Sequence, residues 1–363
     1  MYNVAIIGCG RISHKIAEGV AKNNDRMKLV ALCDPIEEKM FETEKTYNKK
    51  MESKISLLKY KNYKEILDQN KIDIAIISTE SGYHEKIGLY FLENGVNLIV
   101  EKPLAMSIEG AQKLVDTAKK NNLKLAASHQ NRFNYPIQLL KKAIKENKLG
   151  EIFNGMARIL WTRDDNYYLQ APWRGTWALD GGTLMNQCIH NIDLINWMMD
   201  DEIDTVYSQT SNYIRNIEAE DYGVILIRYK SGKIATIEGS AIVYPKNLEE
   251  TLTITGEKGT VVIGGMAVNK INTWRVEGDN EAEFLSIDCG DPNSVYGYGH
   301  EALYKDFVDA LDENREPLVN GKAGLEAVKI ILAAYKSQKT GLPIKISEFN
   351  EFSTLDMEKK DVK

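Results

Sequence analysis

A short apolar run, Asn3-Val4-Ala5-Ile6-Ile7, ends in Gly8-Cys9-Gly10-Arg11-Ile12-Ser13, after which Ile16, Ala17 and Val20 recur at helical spacing. The run does not alternate with polar residues, as expected of a strand buried on both faces of a parallel sheet. The same unit then repeats. An apolar run at 28–33 ends at Asp34, and further runs at 72–79, 97–101 and 124–128 are separated by helical patterns at 84–94 and 107–121. Strands alternating with helices leave few topologies open, because parallel neighbours need right-handed crossovers. The first third is therefore expected to be a Rossmann-type, doubly wound parallel sheet.

The glycine turn has the form GxGxx followed by Ser13, where a third small residue would let helix and strand pack closely. Glycines there allow backbone to approach a pyrophosphate at a helix N-terminus. Gly8, Cys9, Gly10, Arg11 and Ile12 are the expected phosphate-binding residues. Asp34 ends the second strand, where a carboxylate accepts ribose hydroxyls and repels a 2'-phosphate, so NAD is expected rather than NADP. Ser78 and Thr79 end the third run, on the carboxyl edge that binds ligands in open sheets, and are expected cofactor contacts. His84 opens a helix and reads as structural. Glu101-Lys102-Pro103 ends the next run. Glu101 and Lys102 are expected at the cofactor, with the Lys102 cation able to polarise a substrate hydroxyl or carbonyl.

From about residue 151 the alternation stops. Strand patterns at 152–161, 205–211, 221–229, 233–241, 248–255, 260–263 and 270–277 are punctuated by Ser231-Gly232 and Lys258-Gly259. An α+β domain on a large, open, mixed or antiparallel sheet follows from this pattern. Residues 299–335 return to helical spacing, and the charged end at 353–363 is expected to fray. The expected division is residues 1–128 for NAD binding, 129–345 for substrate binding and oligomerisation, and 346–363 as a tail.

Within the second half, Asp180-Gly181-Gly182-Thr183-Leu184-Met185-Asn186-Gln187-Cys188-Ile189-His190-Asn191-Ile192-Asp193 sets polar groups in an apolar helical pattern. Asn186 and His190 are four apart and share a face of a helix; Asp193 is a further neighbour. An imidazole beside an amide and a carboxylate is general acid/base equipment, although a satisfied core histidine would carry the same pattern. His190 is the expected base, Asn186 the group that orients substrate, and Asp193 a holder of the His190 tautomer. The preceding loop, 164–177, is dense in aromatics. Tyr168 and Trp173 suit a polar ring compound, and Arg163 and Arg174 suit an anionic group; packing of Trp173 and Trp177 onto the sheet is the competing reading.

The net charge of −6 disfavours nucleic acid as a partner. Four cysteines without CxxC spacing read as reduced thiols of a cytoplasmic protein, and no metal site is expected. No charged leader precedes an apolar run and no stretch approaches bilayer length, so neither secretion nor a membrane partner is expected.

These motifs resemble the Gfo/Idh/MocA family of NAD(P)-dependent oxidoreductases over residues 4–344. The markers are GCGRIS at 8–13, CDP at 33–35, EKP at 101–103 and GG(x)7HxxD at 181–193. The resemblance implies catalysis by Lys102 and His190 at the carbon facing the nicotinamide, and a homo-oligomer (dimer or tetramer) built through the C-terminal sheet. Many relatives carry Asp where this chain has Asn186, which leaves His190 as the sole base. LMNQCIHNID and YYLQAPWRGTW are similar to UDP-N-acetylglucosaminuronate 3-dehydrogenases. A dehydrogenase of a secondary hydroxyl on a sugar or nucleotide-linked sugar is thus implied. The alternatives are a free polyol, inositol or monosaccharide dehydrogenase, an NAD-dependent glycosidase, and a non-catalytic NAD-binding regulator.

Overall fold

Six strands of the computed structural model form one parallel sheet: β1 (Tyr2–Ile7), β2 (Met27–Cys33), β3 (Leu58–Tyr60), β4 (Ile74–Ile77), β5 (Asn97–Val100) and β6 (Leu125–Ala127). The order is β3-β2-β1-β4-β5-β6, so the winding reverses between β1 and β4. That reversal opens a crevice at the carboxyl ends of the two strands, the usual ligand position in such sheets. All four residues of β4 are buried, and Val4 to Ile7 of β1 likewise, which explains why these runs lack polar alternation.

The structure describes residues 1–290 and 297–358. They divide into two units. The first takes residues 1–106, 110–129 and 300–325; the second takes 107–109, 130–299 and the residues from 326 onward.

The second unit is built on an eight-stranded sheet: β7 (Ile152–Leu160), β8 (Ile203–Ser211), β9 (Tyr222–Tyr229), β10 (Ile234–Ser240), β11 (Glu249–Gly256), β12 (Gly259–Gly264), β13 (Lys270–Val276) and β14 (Ile344–Lys345). The order is β13-β12-β11-β7-β10-β9-β8-β14. β7 and β10 run parallel, and the other neighbours run antiparallel, so the sheet is mixed. Alternation is clear along β9, where Gly223, Ile225, Ile227 and Tyr229 are buried and Val224, Leu226 and Arg228 are exposed. The buried face receives helices Thr183–Asn186 and Ile189–Met199. Their close approach needs glycine: a β-carbon on Gly239 of β10 would lie 2.5 Å from Cys188 Sγ.

The expectation of a fraying end fails for its described part. Phe349 and Phe352 are buried, Ser353 bridges to Ser107, and Ser353 and Asp356 close a capping box over the turn Thr354–Asp356. Apolar anchors, invisible to a reading that counted charge, hold the segment down; residues 359–363 lie outside the described residues. No helix among the described residues is long and apolar enough to cross a membrane.

Candidate active site

In the first unit the glycine turn is held open by its neighbours. Gly8 has φ of +94°, and a β-carbon there would lie 2.5 Å from the Ser78 carbonyl, so only glycine fits. Ser78 Oγ donates to Gly8 O at 2.7 Å, making Ser78 a brace for the turn. Gly10 differs: nothing lies within 4 Å of its missing β-carbon, and the adjacent helix Ser13–Lys22 begins beside it. Exposed Arg11 and half-buried Ile12 complete the turn. Ser13, standing where a third glycine was anticipated, is buried and donates to Gly10 O at 2.7 Å while meeting Thr43 Oγ1 at 2.8 Å.

Asp34 is buried, with Oδ2 accepting from Cys9 N at 2.8 Å and Oδ1 from Ile36 N at 2.9 Å. These bonds fix the carboxylate while leaving each oxygen a lone pair for a ribose hydroxyl. The open Gly10 cradle at a helix N-terminus, with a fixed carboxylate across the turn, fits a dinucleotide. Burial pushes the Cys9 and Cys33 thiols up to about 12, so both are unreactive thiols here.

His84 Nδ1 lies 2.7 Å from Pro103 O and its Nε2 lies 3.1 Å from Thr79 O. His84 thus ties the end of β4 to the Lys102-Pro103 turn, and burial lowers its affinity for a proton. Glu101 is buried with its carboxylate 3.8 Å from His300 Nε2. Its side chain therefore turns into the unit, leaving its backbone as the part suited to a cofactor. Lys102 is half-buried at the carboxyl end of β5.

In the second unit, residues 181–195 are buried with two exceptions, Asn186 and His190. The segment is not one helix: Thr183–Asn186 and Ile189–Met199 are separated at Gln187 and Cys188, which keep right-handed helical dihedrals. Asn186 and His190 nonetheless reach the surface together. Asn186 Nδ2 donates to Asp180 Oδ1, and Asp180 Oδ2 accepts from Gly175 N at 2.7 Å. A buried carboxylate therefore stands beside the amide, contributed by Asp180 and not by position 186.

Asp193 differs from expectation. Its Oδ2 and Oδ1 accept from Arg132 Nε and Nη2 at 2.7 and 2.6 Å, in a pair that is almost wholly buried. Arg132 also stacks on Trp197, 4.8 Å from the ring centre. The carboxylate anchors helix Ile189–Met199 to the segment Gln130–Phe133, so the role of tautomer holder and the placement among substrate ligands are corrected to an anchoring one. Arg132 was not legible in the sequence because its partner lies 61 residues away.

The loop before the glycine pair carries the other expected residues. Arg163 lies 4.6 Å over the Trp161 ring and 5.2 Å over Tyr167; Arg174 lies 4.4 Å over Tyr167 and 4.5 Å over Trp173. Arg174 Nη1 donates to the Tyr167 hydroxyl at 2.7 Å, and Gln187 Nε2 meets the same oxygen at 3.3 Å. The Tyr167 hydroxyl thereby links the arginine loop to the residue following Asn186. Burial pushes the Tyr168 phenol well up, so Tyr168 is a donor and not a base. Trp177 is buried, edge-on to Tyr335 at 5.0 Å, and its Nε1 donates to Glu358 O at 3.2 Å; packing is its role.

Two buried carboxyls had no signal in the sequence. Glu220 Oε1 accepts from Leu184 N at 2.8 Å and from the Tyr335 hydroxyl at 3.0 Å, capping the short helix Thr183–Asn186. Glu250 lies on β11 near Asn191 and Arg163. Burial pushes both up to about 8. Among the described residues, no group of three or more His, Cys, Asp or Glu side chains is arranged to hold a metal.

A glycine cradle beside a fixed carboxylate marks the first unit as one that binds a dinucleotide, as expected of an NAD-dependent oxidoreductase. Family models agree: "Oxidoreductase family, NAD-binding Rossmann fold" matches residues 2–129, and "Oxidoreductase family, C-terminal alpha/beta domain" matches residues 141–346. The chain belongs to the Gfo/Idh/MocA oxidoreductase family. It is 32% identical to the WlbA dehydrogenase from Bordetella pertussis, solved with NADH and UDP-GlcNAcA, with a TM-score of 0.82 over 94% of this chain and 98% of that one. The WlbA dehydrogenase from Chromobacterium violaceum, also solved with NADH and UDP-GlcNAcA, is 32% identical with a TM-score of 0.83, covering 95% of each chain. Myo-inositol 2-dehydrogenase from Thermotoga maritima is 24% identical over 95% of this chain and 98% of its own length.

Proposed function

We propose that the protein oxidises a secondary hydroxyl on the ring of a nucleotide-linked uronic sugar, of the UDP-N-acetylglucosaminuronate type. The observation that carries this reading is the surface of the 181–195 segment, where Asn186 and His190 alone emerge beside a loop bearing Arg163 and Arg174. An acid/base pair next to guanidinium groups suits a hydroxylated ring that also carries negative charge. The 32% identity to two dehydrogenases solved with UDP-GlcNAcA supports the same substrate class.

In this reading Gly8, Cys9, Gly10, Arg11 and Ile12 hold the pyrophosphate of NAD, Asp34 the adenosine ribose, and Thr79 and the Glu101 backbone the other half. When bound there, NAD would supply the hydride acceptor for oxidation of the carbinol carbon. His190 accepts the hydroxyl proton, so that a C=O bond replaces C–OH. Lys102 donates a hydrogen bond to that oxygen and stabilises its developing charge. Asn186, turned by its bond to Asp180, presents its amide oxygen to a substrate hydroxyl.

A homo-oligomer is proposed on the open face of the second sheet. Met156, Val224 and Leu226 lie on that face and stay 45%, 37% and 43% exposed, apolar side chains interspersed with Thr236 and Glu238 that a second subunit would cover.

The test is a panel of UDP-sugars, inositols and free monosaccharides followed at the NADH absorbance band. Turnover of UDP-uronates is expected. Turnover restricted to inositols would select the second reading, which the relative from Thermotoga maritima favours. Consumption of a glycoside without net NADH would point to the glycosidase alternative. His190→Ala and Lys102→Ala should each lower kcat by about 10²–10⁴-fold while sparing NAD affinity; wild-type turnover by either would remove that residue from the mechanism.

A further inference from the structure

We propose that Arg215, absent from every motif considered above, joins Arg163 and Arg174 in seating the carboxylate of the substrate's sugar. The inference rests on the uronic-sugar reading just given, and concerns the residues that would recognise its charge.

The three arginines are linked through shared neighbours within the second unit. Arg215 Nη2 donates to Ala241 O at 3.4 Å, and the Arg163 backbone N–H donates to that same carbonyl at 2.9 Å. Arg163 and Arg174 in turn share the Tyr167 ring. Stacking on aromatic rings holds a guanidinium in one plane, which prepares it for two-pronged binding of a carboxylate.

Charge compensation within this group is incomplete. The Arg215 side chain is only 13% exposed, yet its ion-pair partner, Asp165, stands 3.7 Å away and is itself 70% exposed. Arg215 Nε is buried without a hydrogen-bond partner, and so is Arg174 Nε. A buried guanidinium with an unmet donor is costly unless an anion meets it. Glu250 lies close enough to feel Arg163, but its burial favours the protonated form, so it offers that arginine little negative charge. Two guanidinium donors in this region are thus left unmet, although Asp221 accepts from the Arg215 backbone N–H at 2.9 Å. The Tyr167 hydroxyl, bonded to Arg174 and Gln187, ties the arginine loop to the segment carrying Asn186 and His190.

The experiment compares wild type, Arg215→Gln and Arg215→Lys on UDP-N-acetylglucosaminuronate and on UDP-N-acetylglucosamine, which lacks the carboxylate but keeps the diphosphate. Arg215→Gln should raise KM for the uronate at least about tenfold, the loss expected for one charged hydrogen bond, while KM for the neutral sugar changes less than about twofold. Arg215→Lys should recover part of the loss. Equal losses on both sugars would assign Arg215 to the diphosphate or to folding and overturn the proposal; no loss on either would do the same. If Arg215→Gln does not fold, Arg215→Lys alone is compared with wild type, and its ratio of uronate to neutral-sugar KM should rise by about threefold or more. Should wild type turn over neither UDP-sugar, the substrate reading fails, and the arginine seat is tested by calorimetry with glucuronate against glucose. Glucuronate binding that is selective in wild type and lost in Arg215→Gln would sustain it; absent or unselective binding would sink it.

Discussion

Gly182 and the Glu220 carboxylate occupy the same small space: a β-carbon on Gly182 would lie 1.6 Å from Glu220 Oε2. Gly182 has an ordinary extended backbone, with φ of −96° and ψ of −162°, so the requirement for glycine is spatial and not conformational. Glu220 in turn caps the helix that leads to Asn186. Gly182→Ala should therefore cost at least about 2 kcal/mol, through overpacking and a displaced buried carboxyl. Urea unfolding checks this. Because the two residues compete for one space, Glu220→Ala should cost less in the Gly182→Ala background than alone; strict additivity would contradict the clash.

The two glycines of the nucleotide turn should separate folding from binding. Gly8→Ala meets both a positive φ and the Ser78 backbone, and should destabilise the first unit by about 2 kcal/mol or more. Gly10→Ala meets no atom within 4 Å, so its melting temperature should stay near wild type. KM for NAD should nevertheless rise about tenfold or more, since the new methyl stands where backbone would approach the pyrophosphate. An unchanged KM would move the phosphates away from Gly10.

Asn186→Asp would set a second carboxylate against Asp180, which now accepts a hydrogen bond from the Asn186 amide. Two carboxylates sharing a site cannot both ionise cheaply, so one of the pair should titrate one or more units, by about 1–3, above the ordinary carboxylate range. Turnover of this variant should fall as pH rises through that range, as the second proton is lost and the pair repels. A pH–rate profile identical in shape to that of wild type would show that Asp180 does not sense position 186.

The buried carboxyls of Glu220 and Glu250 set a direction for stability. Both are pushed from an ordinary 4.5 up to about 8, chiefly by burial. Between those values the folded protein holds the protons and the unfolded chain does not. Their contribution is complete below about pH 4.5, declines as pH rises, and is lost above about 8. Glu250→Gln should remove part of that decline, by up to about 1.4 kcal/mol per pH unit. Urea unfolding of wild type and variant at several pH values across this window measures the difference; parallel lines would mean that Glu250 is ionised in the fold.

The strands β7 to β13 were legible because alternation and turn pairs are local signals, and β9 alternates as its residues do. The short strands β3 and β14 were missed because three and two residues carry no period. Among the proposed site residues, Gly8, Asp34, Lys102 and His190 stand out in the sequence because each ends or interrupts a regular pattern. Arg132, Glu220 and Arg215 could not, because each matters through a partner distant in the chain, such as Tyr335, 115 residues from Glu220.

By itself, then, the sequence determined the two kinds of sheet, the nucleotide turn and the family, since strand patterning and glycine placement act over a few residues. Tertiary structure decided what each polar residue does. It gave Asp193 to Arg132, set Asp180 beside Asn186, and left Arg215 buried with an unmet donor. These outcomes depend on burial and on which distant groups share a space, and a buried charge or hydrogen-bonding group takes its meaning from the partner it meets there.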